Sequence, residues 1–385
     1  MTNNKDKKVL NVPNLRFPEF TGEWKKERLD EIAELSKGIG ISKEQLSSNG
    51  NPCILYGELY TKYKSEIISE VISKTNIEKN KLKHSKQNDV IIPCSGETAV
   101  DIAVARCVPF DNVLLGGDLN IIRLHKYDGA FMAYQLNSKR KIEIAKLAQG
   151  VSVVHLYGEN LKSINTYNPS LQEQQKIVRL LSLLDERIAT QNKIIEDLKK
   201  LKSAIRKRVF TSFKNGHTES CEINQLIAYE QPTTYIVTND EYSADKTLTP
   251  VLTANKAFVL GYTDEDFGIY QKGECIIFDD FTMDAKYVSF PFKVKSSAIK
   301  ILTAKPDVNL RFMFEYLSYL ELKSEEHKRH YISEIASLVI ELPSKEKQNR
   351  IAYLMTSLDN KLALEENTRA RYMDEKRYLL SQMFI

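Results

Sequence analysis

The chain has 385 residues, which exceeds the usual size of one domain and can bury at least two hydrophobic cores. Lys and Arg together number 55 against 51 Asp and Glu, so the formal charge of +4 gives no global basic field that would indicate nucleic-acid binding. The five cysteines lie far apart without CxxC spacing, which argues against a disulfide framework and a zinc site. No apolar segment follows the polar, lysine-rich start, and no long apolar run occurs. We therefore expect a cytoplasmic protein that is neither exported nor inserted in a membrane.

The first part of the chain, up to about residue 167, is predicted to be a mixed globule. Its short apolar runs Asp89–Pro93 and Leu119–Leu124 are typical of strands. A helix is predicted over residues 131–147, and the polar stretch 94–98 follows the first of these strands as a loop.

A long helix follows this globule. Apolar residues recur from Leu171 with a spacing of three and four residues, which is the pattern of a helix with a nearly heptad period. Pro169 followed by Ser170 stands where a proline and a capping hydroxyl begin helices.

A second globule and a second long helix complete the chain. Residues 274–278 and 298–302 are predicted strands, Leu310–Tyr319 is a predicted helix, and the polar loop 279–283 follows the first of these strands. The order of elements matches that of the first globule, although the loops differ. Loops that differ on a similar scaffold are typical of two domains that recognise two different targets.

An internal repeat relates the two long helices. Residues 157–210 return at 331–384 with a constant offset of 174 and no gap, so that Pro169 matches Pro343 and Gln174 matches Gln348. A repeat of this size largely decides the architecture. We predict an α+β protein with two mixed α/β target-recognition domains, separated by an antiparallel coiled coil of two long helices with approximate two-fold symmetry. The predicted segments are recognition domain 1 at 1–167, helix 1 at 168–214, recognition domain 2 at 215–341 and helix 2 at 342–385.

Pairing would bury the apolar stripe of each helix and separate the globules by a set distance. The predicted seam residues are Ile177, Leu181, Leu184, Ile188, Ile195, Leu198, Ile205, Ile351, Met355, Leu358, Leu362, Tyr372 and Leu379. Polar residues interrupt both stripes, among them Lys202 in the first and Lys376 in the second, and such residues fix register and partner at a cost in stability. The alternative is that each helix packs on its own globule.

The chain resembles the specificity subunit of Type I restriction-modification systems over its whole length. The resemblance is carried by residues 13–24 (PNLRFPEFTGEW) within a family segment at 11–30, by the helix openings at Pro169 and Pro343, and by residues 330–336 (HYISEIA). It implies that each recognition domain reads one half of a bipartite double-stranded DNA target and that the coiled coil docks two methyltransferase subunits, with restriction subunits as further partners. It also implies that this chain is non-catalytic and carries no cofactor, because the partners use S-adenosylmethionine, ATP and Mg²⁺ for adenine methylation and DNA cleavage.

The sequence contains no catalytic motif that would contradict this. An adenine-methyltransferase NPPY or NPPF motif and a Walker A lysine are absent, and residues 37–40 (KGIG) lack the context of a cofactor loop. Asp279 and Asp280 are neighbours on a strand and point to opposite faces, so a loop that accepts hydrogen bonds from cytosine amino groups is favoured over a metal pair. His327 and His330 lack further ligands for a metal.

The candidate DNA contacts combine basic, aromatic and small polar residues. In the first globule they are Lys37, Lys43, Tyr56, Tyr60, Lys62, Tyr63, Ser95, Glu97, Thr98, Arg106, Arg123, Gln149 and Ser152. In the second they are Thr253, Asn255, Lys256, Asp279, Asp280, Thr282, Lys286, Lys295, Arg329 and His330. For each one the alternative is an ordinary solvated polar side chain. For the chain as a whole the alternatives are a two-headed scaffold that binds protein or RNA and a self-contained modification enzyme.

Overall fold

The computed structural model describes residues 10–215, 218–254, 257–322 and 331–385. Its chain contacts divide it into two compact units. Unit 1 comprises residues 1–192 and 367–385, and unit 2 comprises residues 193–366. Each unit therefore contains one globule and a part of both long helices.

The elements of unit 1 precede the first long helix. Its strands are β1 (Lys25–Arg28), β2 (Ala33–Lys37), β3 (Leu46–Ser47), β4 (Asn51–Ile54), β5 (Ser73–Thr75), β6 (Lys83–His84), β7 (Asp89–Pro93), β8 (Ser95–Gly96), β9 (Arg106–Val108), β10 (Leu114–Leu115), β11 (Leu119–Leu124), β12 (Val154–His155) and β13 (Asn165–Asn168). Its helices are α1 (Leu29–Ile32), α2 (Glu58–Thr61), α3 (Ala99–Ile102), α4 (Gly129–Asn137), α5 (Lys141–Lys146) and α6 (Gly158–Leu161), with 3-10 turns at Lys43–Gln45 and Lys79–Lys81.

The remaining elements are the two long helices and the helices and strands of unit 2. The long helices are α7 (Leu171–Thr211) and α10 (Lys345–Met383), and the other helices are α8 (Ile223–Leu226) and α9 (Leu310–Tyr319), with 3-10 turns at Ser212–Asn215 and Thr233–Tyr235 and a π-helical turn at Tyr331–Ile335. The strands are β14 (Glu219–Glu222), β15 (Ile227–Glu230), β16 (Thr249–Leu252), β17 (Val259–Thr263), β18 (Cys275–Asp279), β19 (Ala285–Val288), β20 (Lys293–Val294), β21 (Ile299–Ala304) and β22 (Val339–Leu342).

The two units share the strand order of their main sheet, whereas the smaller sheet has five strands in unit 1 and three in unit 2. Each has a four-stranded antiparallel sheet, in the order β2-β11-β7-β9 in unit 1 and β15-β21-β18-β19 in unit 2. Each also has a smaller mixed sheet in which one pair is parallel, β4 with β10 and β16 with β20. A two-stranded ribbon, β1 with β13 or β14 with β22, lies just before each long helix. The predicted fold class, two mixed α/β domains with two long helices, is confirmed.

The central strands β7 and β18 of the four-stranded sheets are buried on both faces, to which their successive side chains alternately point. In β7, Val90 and Ile92 pack in one core cluster with α4, whereas Ile91 packs in another with Ile54 of the smaller sheet. Unit 2 repeats this division, with Ile276 on the α9 side of β18 and Ile277 on the other. Burial on two sides explains why these strands are continuous apolar runs in the sequence.

One predicted helix is split. Residues 131–147 form α4 and α5, with an interruption after Asn137. The Asn137 side chain accepts a hydrogen bond from the Ala105 backbone amide at 2.7 Å and donates one to the Ala105 carbonyl at 2.9 Å. The prediction of one continuous helix was wrong, because α4 ends where Asn137 pairs with Ala105, the residue just before β9.

Each long helix begins on a globule through the same pair of hydrogen bonds. Gln174 donates to the Pro169 carbonyl and accepts from the Asp128 amide, the N-cap of α4, both at 2.9 Å. Gln348 repeats this at 2.9 Å with the Pro343 carbonyl and the Asn309 amide, the N-cap of α9. Ser170 and Ser344 lie immediately before the helices, as the capping pattern predicted.

Segments of α7 and α10 run antiparallel within each unit. In unit 1, Asp185 of α7 contacts Lys376 of α10, and further along α7 Asn192 contacts Arg369, which comes earlier in α10. In unit 2, Lys199 pairs with Glu366. Later in α7, Lys202 pairs with Asp359, which lies earlier in α10. The partner number therefore falls along α10 as the residue number rises along α7.

All predicted seam residues are buried or partly buried. The first turns of the helices, however, also pack on the preceding globule, as the alternative had it. Ile177 and Leu181 share a cluster with Trp24 and Phe131, and Ile351 lies in the unit 2 core. The end of each long helix packs on the globule that does not immediately precede that helix in the sequence. In unit 1, the ring centres of Phe384, at the end of α10, and Phe131 are 5.3 Å apart. Phe210 is the repeat-equivalent residue at the end of α7, and in unit 2 its ring centre lies 5.5 Å from that of Phe312. No helix in the described ranges carries an apolar stretch of the length needed to cross a bilayer.

Candidate nucleic-acid interface

Several of the predicted DNA contacts in unit 1 come together at one edge of the fold. Strand β12 pairs antiparallel with β8, which places His155 opposite Ser95 and Val154 opposite Gly96. Gln149 and His155 exchange two backbone hydrogen bonds, at 2.9 and 2.7 Å. The 94–98 loop and the turn before the long helix, which are far apart in sequence, therefore lie side by side.

Aromatic and basic side chains border this edge. The Lys37 ammonium lies 5.8 Å from the centre of the Tyr157 ring, and the His155 and Tyr157 rings stack at 6.2 Å. A cation over an aromatic face and stacked rings are features that nucleic-acid interfaces use. Tyr60 is close by, since its hydroxyl oxygen lies 3.6 Å from where a Cβ on Gly96 would be. We call this surface the unit 1 face, composed of Lys37, Tyr60, Glu97, Gln149, Ser152, His155 and Tyr157. The candidate Ser95 is not part of it, because Ser95 is buried and its hydroxyl donates to Asp118 at 3.2 Å.

Two arginines of the candidate set have internal roles instead. Arg106 is buried and donates to the Tyr63 carbonyl at 2.9 Å and to the Leu59 carbonyl at 3.2 Å. Burial lowers the pKa of its guanidinium, and the nearby carboxylates of Glu66 and Asp185 oppose this effect. These contacts make Arg106 part of the protein interior and not of a DNA surface, and sequence spacing could not show this.

Arg123 forms a two-pronged ion pair with Asp89. Its Nε and Nη2 atoms donate to the two carboxylate oxygens at 2.8 and 2.7 Å, and this hydrogen bonding raises the pKa of the guanidinium. Because the Asp89 side chain is only 1% exposed, releasing Arg123 to a phosphate would leave a buried carboxylate unpaired. We therefore correct its assignment to a structural one.

The remaining unit 1 candidates lie outside the face or serve local structure. Tyr63 is buried, and burial raises its pKa to about 12. Lys62 pairs with the buried Glu58 at 2.7 Å, and Tyr56 packs against the same core cluster. Thr98 accepts from the Asp101 amide as the N-cap of α3. Lys43 is exposed in its 3-10 turn.

In unit 2 the predicted acidic pair is internal. Asp279 Oδ1 accepts from the amides of Phe281 and Thr282, both at 2.9 Å, and so shapes the loop after β18. Asp280 Oδ2 lies 3.3 Å from the Lys300 ammonium, with both side chains 1% exposed, and Oδ1 accepts from the Tyr331 amide at 2.8 Å. These carboxylates are occupied by the protein itself, so the expectation that they accept from cytosine is not supported by their placement.

The other unit 2 candidates are placed differently from one another. Thr282 and Lys295 are exposed, Lys286 is partly buried opposite Ile277, and Thr253 is buried. Asn255, Lys256, Arg329, His330 and the related His327 lie outside the described residues. Within the described ranges, no group of three His, Cys, Asp or Glu side chains is arranged to hold a metal ion.

Sequence reasoning missed His155 and Tyr157. They flank the buried Leu156, whose amide donates to the Cys94 carbonyl at 2.7 Å. The alternation of an apolar residue between two aromatic rings was a visible signal of a strand edge. The partner strand β8 is only two residues long and carried no such signal.

The sequence of this chain matches a known protein family. The model of the family "Type I restriction modification DNA specificity domain" matches residues 21–200 and 218–371. The chain therefore belongs to the family of Type I restriction-modification DNA specificity subunits. Specificity subunits of this class are non-catalytic.

Particular relatives agree with this assignment. The specificity subunit of the Escherichia coli Type I restriction enzyme EcoR124I/EcoR124II is 39% identical over 165 residues, which is 39% of this chain and 41% of that protein. The match thus spans about two fifths of the relative's length.

Solved structures agree on the fold. The S subunit of a Type I restriction-modification system from M. genitalium has a TM-score of 0.67 at 17% identity and covers 97% of this chain and 99% of that chain. A chain from a study of complex assembly and conformational transition of the Type I system has a TM-score of 0.54 at 14% identity, covering 94% of this chain and 97% of that chain.

Proposed function

We propose that this chain reads a bipartite double-stranded DNA target, with one half-site recognised by each unit, and directs adenine methylation and DNA cleavage by partner subunits. The observation that carries the proposal is the pair of units whose four-stranded sheets have the same strand order but whose exposed loops differ. The family model also matches twice, once on each side of residues 201–217.

Recognition would divide into two kinds of contact. Contacts to phosphates position a protein on the duplex, whereas contacts to base edges carry the sequence information. On the unit 1 face, Lys37 is suited to phosphate, and Glu97, Gln149 and Ser152 offer the donors and acceptors that base edges require. In unit 2 the exposed Thr282 and Lys295 are the corresponding candidates among the described residues.

The catalytic work would belong to the partners. The resemblance to specificity subunits supports two methyltransferase subunits that use S-adenosylmethionine, and restriction subunits that use ATP and Mg²⁺. A solved relative comes from work on assembly of the Type I system, which supports a multisubunit complex. Action on genomic DNA would place this complex in the cytoplasm.

The charge of the chain predicts that it needs its partners to bind tightly. Electrostatic affinity for DNA scales with the number of phosphates neutralised, and a net charge of +4 offers little surplus. The affinity of the purified chain for its target duplex should be measured with and without the methyltransferase subunits, at one salt concentration.

We expect tight, sequence-selective binding only with the partners present. Equal affinity in both conditions would contradict this division of labour. A complex without any sequence-selective methylation would favour the scaffold alternative.

A further inference from the structure

A short loop over residues 149–155 lies at the unit 1 face, and we call it the hairpin. Its base is closed by the two backbone hydrogen bonds between Gln149 and His155, and its tip consists of exposed residues. Val151 at the tip is 97% exposed, and Val153 is 53% exposed. Gly150 has φ +116°, and a Cβ there would lie 2.2 Å from the Val153 carbonyl oxygen, so this turn requires glycine.

The base of the hairpin is anchored on the sheet. Strand β12 pairs with β8, the Leu156 amide donates to the Cys94 carbonyl at 2.7 Å, and the Asn120 side chain donates to the Leu156 carbonyl at 2.9 Å. Leu156 and Asn120 are buried. The tip is therefore an apolar side chain presented at a defined position by a fixed base.

The surroundings of the hairpin indicate what it meets. A single exposed valine is ordinary on a protein surface. Here, however, the valine lies on a short loop whose base is a single β-bridge wide, and the major groove of B-DNA admits an element of that width. The Lys37 ammonium and the His155 ring lie beside its base, where they can meet phosphates on either side of a groove.

The size of the valine side chain indicates which kind of contact it can make with a base. Wedges that unstack base pairs are mostly longer or bulkier residues, such as Phe, Leu and Met. The two methyl groups of valine are short, and the apolar feature that the major groove offers is the C5-methyl group of thymine.

We propose that Val151 is a specificity-determining residue that packs against the C5-methyl group of one thymine in the half-site read by unit 1. This inference rests on the proposed function and specifies one base, a thymine, of the half-site that unit 1 reads. It requires at least one A·T pair in that half-site, oriented with its thymine methyl toward the hairpin.

The test is a double-mutant cycle on the protein and the DNA. The chain is assembled with its methyltransferase subunits, and its target is first read from the methylated genome. Binding is then measured for duplexes in which one thymine at a time is replaced by uracil, which lacks the methyl group. One replacement should weaken the wild-type complex about fourfold, the effect of exposing one buried methyl-sized group.

Val151→Ala should weaken binding to the thymine duplex by a similar factor and should remove the sensitivity to that one uracil. Ile142→Ala is the matched control, because Ile142 is an apolar residue of the same unit that is 57% exposed and belongs to α5, not to the hairpin. It should leave affinity and uracil sensitivity unchanged.

Three results separate the possible failures. If Val151→Ala binds as tightly as wild type and no uracil matters, this inference is wrong while the proposed function stands. If Val151→Ala instead reduces recovery of the methyltransferase subunits, the hairpin contacts protein and the inference is equally wrong. If the wild-type complex shows no sequence selectivity at all, the proposed function itself fails.

Discussion

Units 1 and 2 have similar folds, but the charged residues of their long helices are neutralised by different partners. In unit 1, the Lys376 ammonium lies 2.5 Å from carboxylate oxygens of both Glu66 and Asp185. At the repeat-equivalent position in unit 2, Lys202 lies 2.6 Å from Asp359 and 3.2 Å from Glu315. The repeat thus keeps the Lys–Asp pair, while the residues around it have diverged.

The difference lies in how many cations share the carboxylates. In unit 2, Arg206 and Arg311 also contact Glu315, and Arg311 contacts Asp359. In unit 1, Lys376 is the cation that touches both acids among the described residues, and Arg106 acts from further away. A buried carboxylate that loses its only close cation is strongly destabilising. The two units should therefore respond unequally to the same substitution.

The largest expected effect is from Lys376→Met. It leaves Glu66 and Asp185 facing each other with side chains only 9% and 12% exposed, and we expect it to destabilise unit 1 by about 3 kcal/mol. Lys202→Met should cost unit 2 about 1 kcal/mol, because both acids keep an arginine. Hydrogen exchange resolved by segment measures the two units separately, which one global unfolding curve would not.

Equal losses in the two units would contradict this comparison. Lys200→Met is the control, because Lys200 is an exposed lysine of α7 that pairs with the exposed Glu196 one turn before it. Its exchange rates should match those of the wild type.

The shared glutamines should give a symmetric effect of intermediate size. Gln174→Ala leaves a buried carbonyl and the N-cap amide of α4 without partners, and Gln348→Ala does the same for α9. Each substitution should cost about 2 kcal/mol, and each should reduce exchange protection only in its own unit. Gln175→Ala, at an exposed neighbouring position, is the control. A loss of protection that spreads equally to both units would show that they do not unfold independently.

A pH effect should distinguish the smaller sheet of unit 2. The ammonium of Lys293 lies 2.6 Å from Glu265, and the Thr238 amide and hydroxyl also donate to this carboxylate. Burial would raise the pKa of Glu265, but these partners lower it to about 2. Because the folded pKa is depressed, the stabilisation is present above the ordinary pKa of a glutamate and is lost as the pH falls toward 2.

Exchange protection of β16 and β17 should therefore decrease between about pH 4.5 and pH 2 in the wild type. Glu265→Gln should be less protected at neutral pH and should show a smaller change over this range. An unchanged acid response in that variant would assign the effect to another group.

The internal repeat and the apolar patterns of the sequence predicted most of the main strands and helices. The strands Asp89–Pro93 and Leu119–Leu124 and the helix Leu310–Tyr319 occur as predicted, because their period and burial are visible locally. The long helices begin after Ser170 and Ser344 for the same reason.

The candidate interface was predicted less well, because exposure depends on partners far along the chain. Arg123 looks like a free cation in the sequence, but it meets Asp89 in the fold. Asp280 looks like an exposed loop acid, but it meets Lys300. Val151 is one apolar residue among many in the sequence, and its exposure becomes visible only in the fold.

The central claim is that each unit reads its own half of a divided target. The most direct measurement is the map of methylated adenines in a genome that expresses this chain with its methyltransferase partner. It should be compared with the map from a variant in which Gln149 and Ser152 of the unit 1 face are replaced by alanine. We predict a target in two parts, with the variant changing one part and leaving the other intact. An uninterrupted target, or a change in both parts, would contradict the account.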